Sequence, residues 1–260
     1  MAHILDIIVA QKKEEVELLR REGVHIPTAY ADKEIPGNRG FREALLDFQK
    51  VSIIAEAKKA SPSKGVICPD FDPVTIAQNY QKGGAQAISV LTDVNFFQGS
   101  LLYLLQVREC VELPVLRKEF IIDPLQIEEA HLCGADAILL MASILDVHQL
   151  QDFQDQAGEY NIDCLVEVHD EKELETVLST RANLIGINNR NLKDFSMDIE
   201  TTFRLKKMIP ESIAVVGESG LKTADDIKRL EQAGVCAALI GESLMRGTNG
   251  GNSLQGLRGE

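Results

Sequence analysis

The stretch Ile53-Ile54-Ala55-Glu56-Ala57-Lys58-Lys59-Ala60-Ser61-Pro62-Ser63 decides the fold. The apolar, β-branched run from Val51 to Ala55 has the composition of a buried strand. It ends on the carboxylate of Glu56, then Lys58, then a Ser-Pro-Ser turn. Residues two apart in an extended chain project to the same face, so Glu56 and Lys58 point together. Taking a carboxylate and an ammonium out of water is costly unless they are paired or used. The same event recurs downstream: an apolar strand, then a charged or amide residue at its C-terminal end.

Strand-like runs begin near 51, 86, 114, 135, 163, 183, 212 and 235. Helical patterns lie between them near 73–83, 100–111, 123–133, 145–160, 171–181, 198–208 and 222–233. Gly83-Gly84-Ala85, Gly134-Ala135 and Gly234-Val235 supply the glycine stop that follows a helix. Eight βα units with right-handed crossovers close as a (β/α)8 barrel. An open doubly wound sheet would use fewer strands and a Gly-rich fingerprint after the first, which is absent. Before residue 51 no strand is expected. Residues 3–22 read as an amphipathic helix with Ile4, Ile7, Ile8, Leu18 and Leu19 on the apolar side and Lys12, Lys13, Glu14, Glu15 and Glu17 on the wet one, and a short helix is expected at 41–49. Gly37-Asn38-Arg39-Gly40 between them reads as a turn rather than a phosphate cradle. The expected organisation is an α/β protein: a helical extension (1–50) packed on the barrel mouth, the TIM barrel (51–247) and a Gly/Asn/Ser-rich tail (248–260). The tail has room for one short helix near 253–258.

The chain has 260 residues, 45% of them hydrophobic, and a net charge of -13. That acidity opposes nucleic acid and anionic membranes as partners. No apolar run approaches the ~18 residues that span a bilayer, and the start lacks the basic region of a signal peptide. A soluble, cytoplasmic protein is expected, a monomer or weak homo-oligomer. Five scattered cysteines without a C-x-x-C read as free thiols in a reducing compartment. Five histidines without close pairs give no metal site. An anionic ligand would need a locally positive pocket, which draws attention to each cation at a strand end.

In a barrel of this kind all strand C-termini meet on one face, where chemistry is done. The strand ends carry Glu56 and Lys58, then Arg117, Lys118 and Glu119, then Glu167, Asn188, Arg190, Glu218, Ser219 and Gly241. Lys118 and Glu167 suit general acid and base roles. A lysine in a partly dry pocket is expected to lose pKa and a glutamate to gain it. A structural ion pair between them is the plainer alternative. Gly217-Glu218-Ser219-Gly220 and Ile240-Gly241-Glu242-Ser243 follow the last two strands, where barrels bind phosphate through backbone N–H groups. Glycines at 220 and 241 would let an anion approach the backbone. Glu242 would contribute its backbone rather than its side chain, and Ser61 could add a hydroxyl.

Six motifs in order resemble indole-3-glycerol-phosphate synthase: residues 54–63, Pro114-Val115-Leu116-Arg117-Lys118-Glu119-Phe120-Ile121, Leu165-Val166-Glu167-Val168-His169, Ile185-Gly186-Ile187-Asn188-Asn189-Arg190-Asn191-Leu192, Gly217-Glu218-Ser219-Gly220 and Ile240-Gly241-Glu242-Ser243-Leu244-Met245. The resemblance implies a lyase of tryptophan biosynthesis without metal or organic cofactor. Its reaction closes 1-(2-carboxyphenylamino)-1-deoxyribulose 5-phosphate, an anionic phosphosugar, to indole-3-glycerol phosphate with loss of carbon dioxide and water. It implies Lys118 as general acid, Glu167 as its acid–base partner, and Glu56, Lys58, Asn188 and Glu218 as further catalytic positions. It leaves the division of work between Lys58 and Lys118 open. Ser61, Ser219, Gly220, Gly241 and Glu242 match phosphate-binding positions and Arg190 the arginine beside the asparagine. Phe97 and Phe120 resemble the apolar wall for the anthranilate ring. The rival readings are another phosphosugar barrel enzyme, either an isomerase or a Schiff-base aldolase, and a barrel that binds phosphate without catalysis.

Overall fold

The computed structural model describes residues 4–245 and 250–259; residues 1–3 at the start of the extension, 246–249 where the expected barrel meets the tail, and 260 lie outside it. Eight parallel strands run in chain order around a closed barrel: β1 (Ser52–Ala57), β2 (Ala87–Leu91), β3 (Val115–Lys118), β4 (Ala137–Met141), β5 (Asp163–Val168), β6 (Leu184–Asn188), β7 (Ala214–Glu218) and β8 (Ala237–Ile240). The ring closes through β8 on β1, with Ser52 opposite Ala237 and Ala55 opposite Ile240. Each strand lies where its apolar run predicts.

Helices α1 (Ile4–Glu22) and α2 (Phe41–Leu46) precede the barrel. Helices α3 (Pro73–Lys82), α4 (Leu101–Cys110), α5 (Pro124–Leu132), α6 (Val147–Glu159), α7 (Glu171–Leu178), α8 (Glu200–Lys206) and α9 (Ala224–Gln232) surround it. Their starts are written into the sequence. Asp72, Ser100, Asp123, Asp146, Asp170 and Thr223 each accept a backbone N–H of the first turn, which satisfies donors that have no partner within the helix. Gly84, Gly134 and Gly234 take positive φ just after α3, α5 and α9 and turn the chain into the next strand. Among the described residues no helix is long and apolar enough to cross a membrane.

The tail folds further than its composition suggests. After α10 (Glu242–Met245), helix α11 (Gly250–Arg258) is longer than the short helix expected at 253–258. Leu254 and Leu257 are buried in the shell, and α11 packs on α3 and α9. Arg258 donates to the carbonyl of Gly84 at 2.5 Å and lies over the Phe48 ring. Two leucines three residues apart share a helix face, a pattern that average composition hides.

Strand alternation sorts the residues into two cores. One, between barrel and helices, takes Ile53, Ala55, Ile88, Val90, Ile138, Leu140, Val166 and their equivalents. The other fills the barrel with Ile54, Ala87, Leu116, Ala137, Leu165, Leu184, Val216 and Leu239. Phe41 and Leu45 of α2 belong to this inner core and plug it at the N-terminal ends of the strands. The Gly37–Gly40 turn fastens that plug. Arg39 donates to the carbonyls of Val111 and Leu113 at 2.7 and 2.9 Å, and buried Asp136 accepts from the Arg39 backbone at 2.7 Å and from Arg108 at 2.5 Å. The turn is thus a brace at the barrel bottom, far from the strand C-termini. α1 lies at the other end, where Ile4, Leu5 and Ile8 line a cavity over those C-termini.

Phe41 is fully buried. Phe41→Ala is expected to cost about 3–5 kcal/mol in urea unfolding, the usual range for emptying such a site. Because the cavity sits at the opposite end, kcat of the folded variant should stay within about twofold of the parent. A loss of turnover without a loss of stability would refute this separation of the two ends.

Candidate active site

Inner-face alternation puts Glu56, Lys118, Glu167 and Glu218 in the same barrel interior as Ile54, Leu116, Leu165 and Val216, one layer above them, and Asn188 on the same face as Leu184 and Gly186, level with Glu218. Strand register aligns them further: Asn188 is opposite Glu218, and Glu167 is opposite Gly186. Gly186 has no side chain because the Glu218 carboxylate occupies that space. Gly241 does the same for the Glu56 carboxylate. Two glycines in the upper layer therefore make room for two acids.

The acids gather around one ammonium. Lys118 Nζ lies 2.6 Å from Glu218 Oε2 and 3.3 Å from Glu167 Oε2. Lys58 pairs with Glu56, as two residues on one face of an extended strand should. Glu56, Glu167 and Glu218 are all buried. Burial alone would lower the pKa of Lys118, but Glu218, Glu167 and Glu56 outweigh it and hold the ammonium well above its ordinary value. Burial likewise pushes Glu167 up, yet Lys118, His169 and a hydrogen bond with Asn188 leave it below the usual carboxylate range. Both directions reverse the sequence expectation, because charged partners rather than apolar groups fill the pocket. The carboxyl that does rise is Glu218. Burial takes it to about 7, with Glu167 adding to the rise and Lys118 opposing it. Near neutral pH the cluster therefore holds an ammonium, an ionised carboxylate and a carboxyl at its midpoint, protons that belong to a coupled set.

A cavity of about 610 Å³ opens above this cluster, within the size range of small-molecule sites. Glu56, Lys58, Lys118, Glu167, Asn188 and Glu218 line it, together with Ser61, Phe97, Phe120, Arg190, Ser219, Gly220, Gly241 and Glu242. Every catalytic and binding position that the family resemblance implies thus lines one space. Phe97 and Phe120 face each other at 5.9 Å between ring centroids. On the opposite side Ser219 and Gly220 both take positive φ, which turns the chain sharply after β7. Arg190 and the Glu242 carboxylate approach to 3.8 Å across the rim, so the Glu242 side chain faces a cation there. The missing side chain of Gly241 serves Glu56 first, a reason different from the close anion approach expected at this glycine.

Arg117 and Glu119 do not join the catalytic layer. Arg117 has the opposite strand parity to Lys118 and points outward to Glu129 of α5 at 2.5 Å. Glu119 lies beyond the strand end and pairs with Lys12 of α1 at 3.0 Å. Three supporting residues stand outside the set of candidates read from the sequence. Lys12 reads as a surface lysine but is buried. Asn189 donates to the Ser219 carbonyl at 3.0 Å while its own oxygen takes the Thr202 hydroxyl at 2.8 Å, which ties the loop after β7 to β6 and α8. His169 lies 3.3 Å from Glu167 Oε1 and 3.0 Å from Glu173. Glu173 and Glu167 outweigh its burial and raise its pKa. The Val-His dipeptide after Glu167 was the only available pointer to it. Among the described residues no cluster of His, Cys, Asp and Glu has the geometry to hold a metal ion.

Comparison with known proteins places this site in a family. The family model described as indole-3-glycerol phosphate synthase matches residues 5–257. The indole-3-glycerol phosphate synthase of Desulfotalea psychrophila is 63% identical over 98% of both chains. That of Chlorobium phaeovibrioides is 51% identical over 92% of this chain and 93% of its own. Two solved structures with the same barrel are far more distant in sequence. 3-Hexulose-6-phosphate synthase from Salmonella typhimurium has a TM-score of 0.65 at 12% identity over 80% of this chain and 96% of its own. KGPDC from Streptococcus mutans has a TM-score of 0.63 at 13% identity over 81% of this chain and 97% of its own. These two show the fold alone. The (β/α)8 barrel, the buried acid–base cluster and the match across nearly the whole chain lead to one conclusion: the chain belongs to the indole-3-glycerol phosphate synthase family.

Proposed function

We propose that this chain closes 1-(2-carboxyphenylamino)-1-deoxyribulose 5-phosphate to indole-3-glycerol phosphate in tryptophan biosynthesis, as a carboxy-lyase whose acid–base groups are its own side chains. The observation that carries the reading is the Lys118 ammonium held between Glu218 and Glu167 beneath a cavity with one aromatic wall. As the aryl carbon attacks the sugar carbonyl, negative charge grows on that oxygen. An ammonium fixed beneath it stabilises the transition state and delivers the proton. The ring intermediate is cationic, so it accepts the electrons of the departing carboxylate as carbon dioxide leaves. Loss of water then needs a proton on the hydroxyl and a base for the neighbouring C–H. Glu167, held ionised by Lys118 and His169, is assigned as that base. Glu218, poised near neutrality, is matched to resupply protons to Lys118.

The substrate's charged ends need cations in an acidic protein. Lys58, beside Glu56 at the cavity wall, is assigned to an anionic group of the substrate. The phosphate is assigned to the loops of Ser219-Gly220 and Gly241-Glu242, with Ser61 and Arg190 at the rim. All five cysteines are free thiols, which suits a reducing compartment, and we place the enzyme in the cytoplasm.

The chain contains no tryptophan, so an indole product stands out by its own fluorescence. Purified protein with substrate and a chelator should give rising indole emission. Lys118→Ala and Glu167→Gln should each lower turnover by ~10²–10⁴, the usual worth of general acid–base groups. A folded protein that gives no indole but forms a borohydride-trapped imine would instead be a Schiff-base aldolase.

The pH dependence tests Glu218. Its carboxyl is neutral below about 7 and charged above it. Deprotonation adds a negative charge beside Glu167, where an anionic substrate must dock. kcat/KM should therefore fall as pH rises through about 7, and Glu218→Gln should flatten that limb. A limb that rises through this range would refute the assignment.

A further inference from the structure

Lys12, in the helix ahead of the barrel, is only 1% exposed. Its Nζ lies 2.7 Å from Asp93 Oδ2 and 3.0 Å from Glu119 Oε1, with Glu15 of the same helix at 2.8 Å. A buried ammonium is costly unless well paired. Burial would discharge it, but Glu119 and Asp93 outweigh burial and keep it charged.

The two acids sit on different loops, and each has a second bond. Asp93 Oδ1 accepts the backbone N–H of Phe96 at 2.7 Å and of Phe97 at 3.0 Å. Glu119 Oε1 accepts the backbone N–H of Phe120 at 2.8 Å. Its other oxygen takes the hydroxyl of Thr92, the residue before Asp93, at 2.8 Å. One ammonium thus joins the two carboxylates that hold the amides of the two aromatic wall residues. The first loop has little slack. Gly99 donates to the Asp93 carbonyl at 2.7 Å, and a side chain at Gly99 would run into the Leu91 carbonyl. Holding α1 down does not require this arrangement, since Arg20 already tethers the helix to Asp123 at 2.5 Å near the surface.

We propose that Lys12 is a positioning residue for the aryl end of the substrate: it clamps the loops after β2 and β3 together and so sets the spacing of Phe97 and Phe120. The proposal rests on the reading above that these rings form the wall for the anthranilate ring. A clamp of this kind acts on binding, because the wall contacts the ring in ground and transition states alike. Its loss should appear in KM rather than in kcat.

The test is a double-mutant cycle in steady-state kinetics on the full chain. Lys12→Met should raise KM on the order of tenfold, about the effect of losing one good contact, with kcat within about twofold. In a Phe97→Ala background the same change should add less than about twofold, because partners in one unit do not add. An unchanged KM for Lys12→Met, a loss confined to kcat, or a KM effect that multiplies independently of Phe97→Ala would overturn the clamp. If Phe97→Ala itself leaves KM unchanged, the aromatic-wall reading fails and the clamp fails with it. If Phe97→Ala raises KM and Lys12→Met does not, the clamp alone fails. Should Lys12→Met not fold because two acids are left unpaired, the variant with Asp93→Asn and Glu119→Gln added removes that charge. The amide oxygens can still accept the backbone N–H groups, so this variant is held to the same KM and kcat criteria.

Discussion

The site depends on a single shared ammonium. Three carboxylates and two lysines line the mouth of a largely apolar barrel, and such charges are tolerated there only as a mutually paired set. Lys118 makes the set possible. Without it, Glu167 and Glu218 would be two buried acids side by side. With it, one stays ionised and the other rests near neutral pH. The separation of two similar groups into different protonation states arises from position. Burial pushes both upward, but Glu167 has His169 and Asn188 as well as Lys118 to offset it, whereas Glu218 has Lys118 and is raised further by Glu167.

The rest of the barrel is arranged to hold that cluster still. Gly186 and Gly241 leave the spaces that the Glu218 and Glu56 carboxylates fill. The inner apolar core fills the barrel beneath, and Phe41 and Leu45 close its far end. Residues of opposite parity face the helices and bear the packing. The same parity sends Lys118 inward and Arg117 outward to Glu129, so adjacent cations serve function and stability separately. The extension contributes at both ends: α2 seals the bottom, while α1 covers the mouth and carries Lys12 into the loops behind the aromatic pair.

Much of this was legible from the chain alone. The apolar, β-branched runs of the strands, the helical patterns between them and the glycine stops are local signals, and local signals survive without tertiary context. They located eight strands and the surrounding helices to within a few residues. The position of the barrel mouth followed from parallel connectivity, and with it the candidate residues at the strand ends. The tail was harder, because Leu254 and Leu257 are only two apolar positions in a polar stretch, and their value depends on α3 and α9 being there to receive them.

By itself the sequence determined the fold, the family and the group of side chains that meet at the mouth, since each follows from periodicity, turn chemistry or an ordered run of motifs. Tertiary structure alone decided the protonation pattern and the supporting contacts. A pKa depends on which charges lie within a few ångströms, and here that reversed the simple expectation for both Lys118 and Glu167. The roles of Lys12, Asn189 and His169 likewise rest on contacts such as Lys12 with Asp93, 81 positions apart in the numbering, which no local pattern encodes.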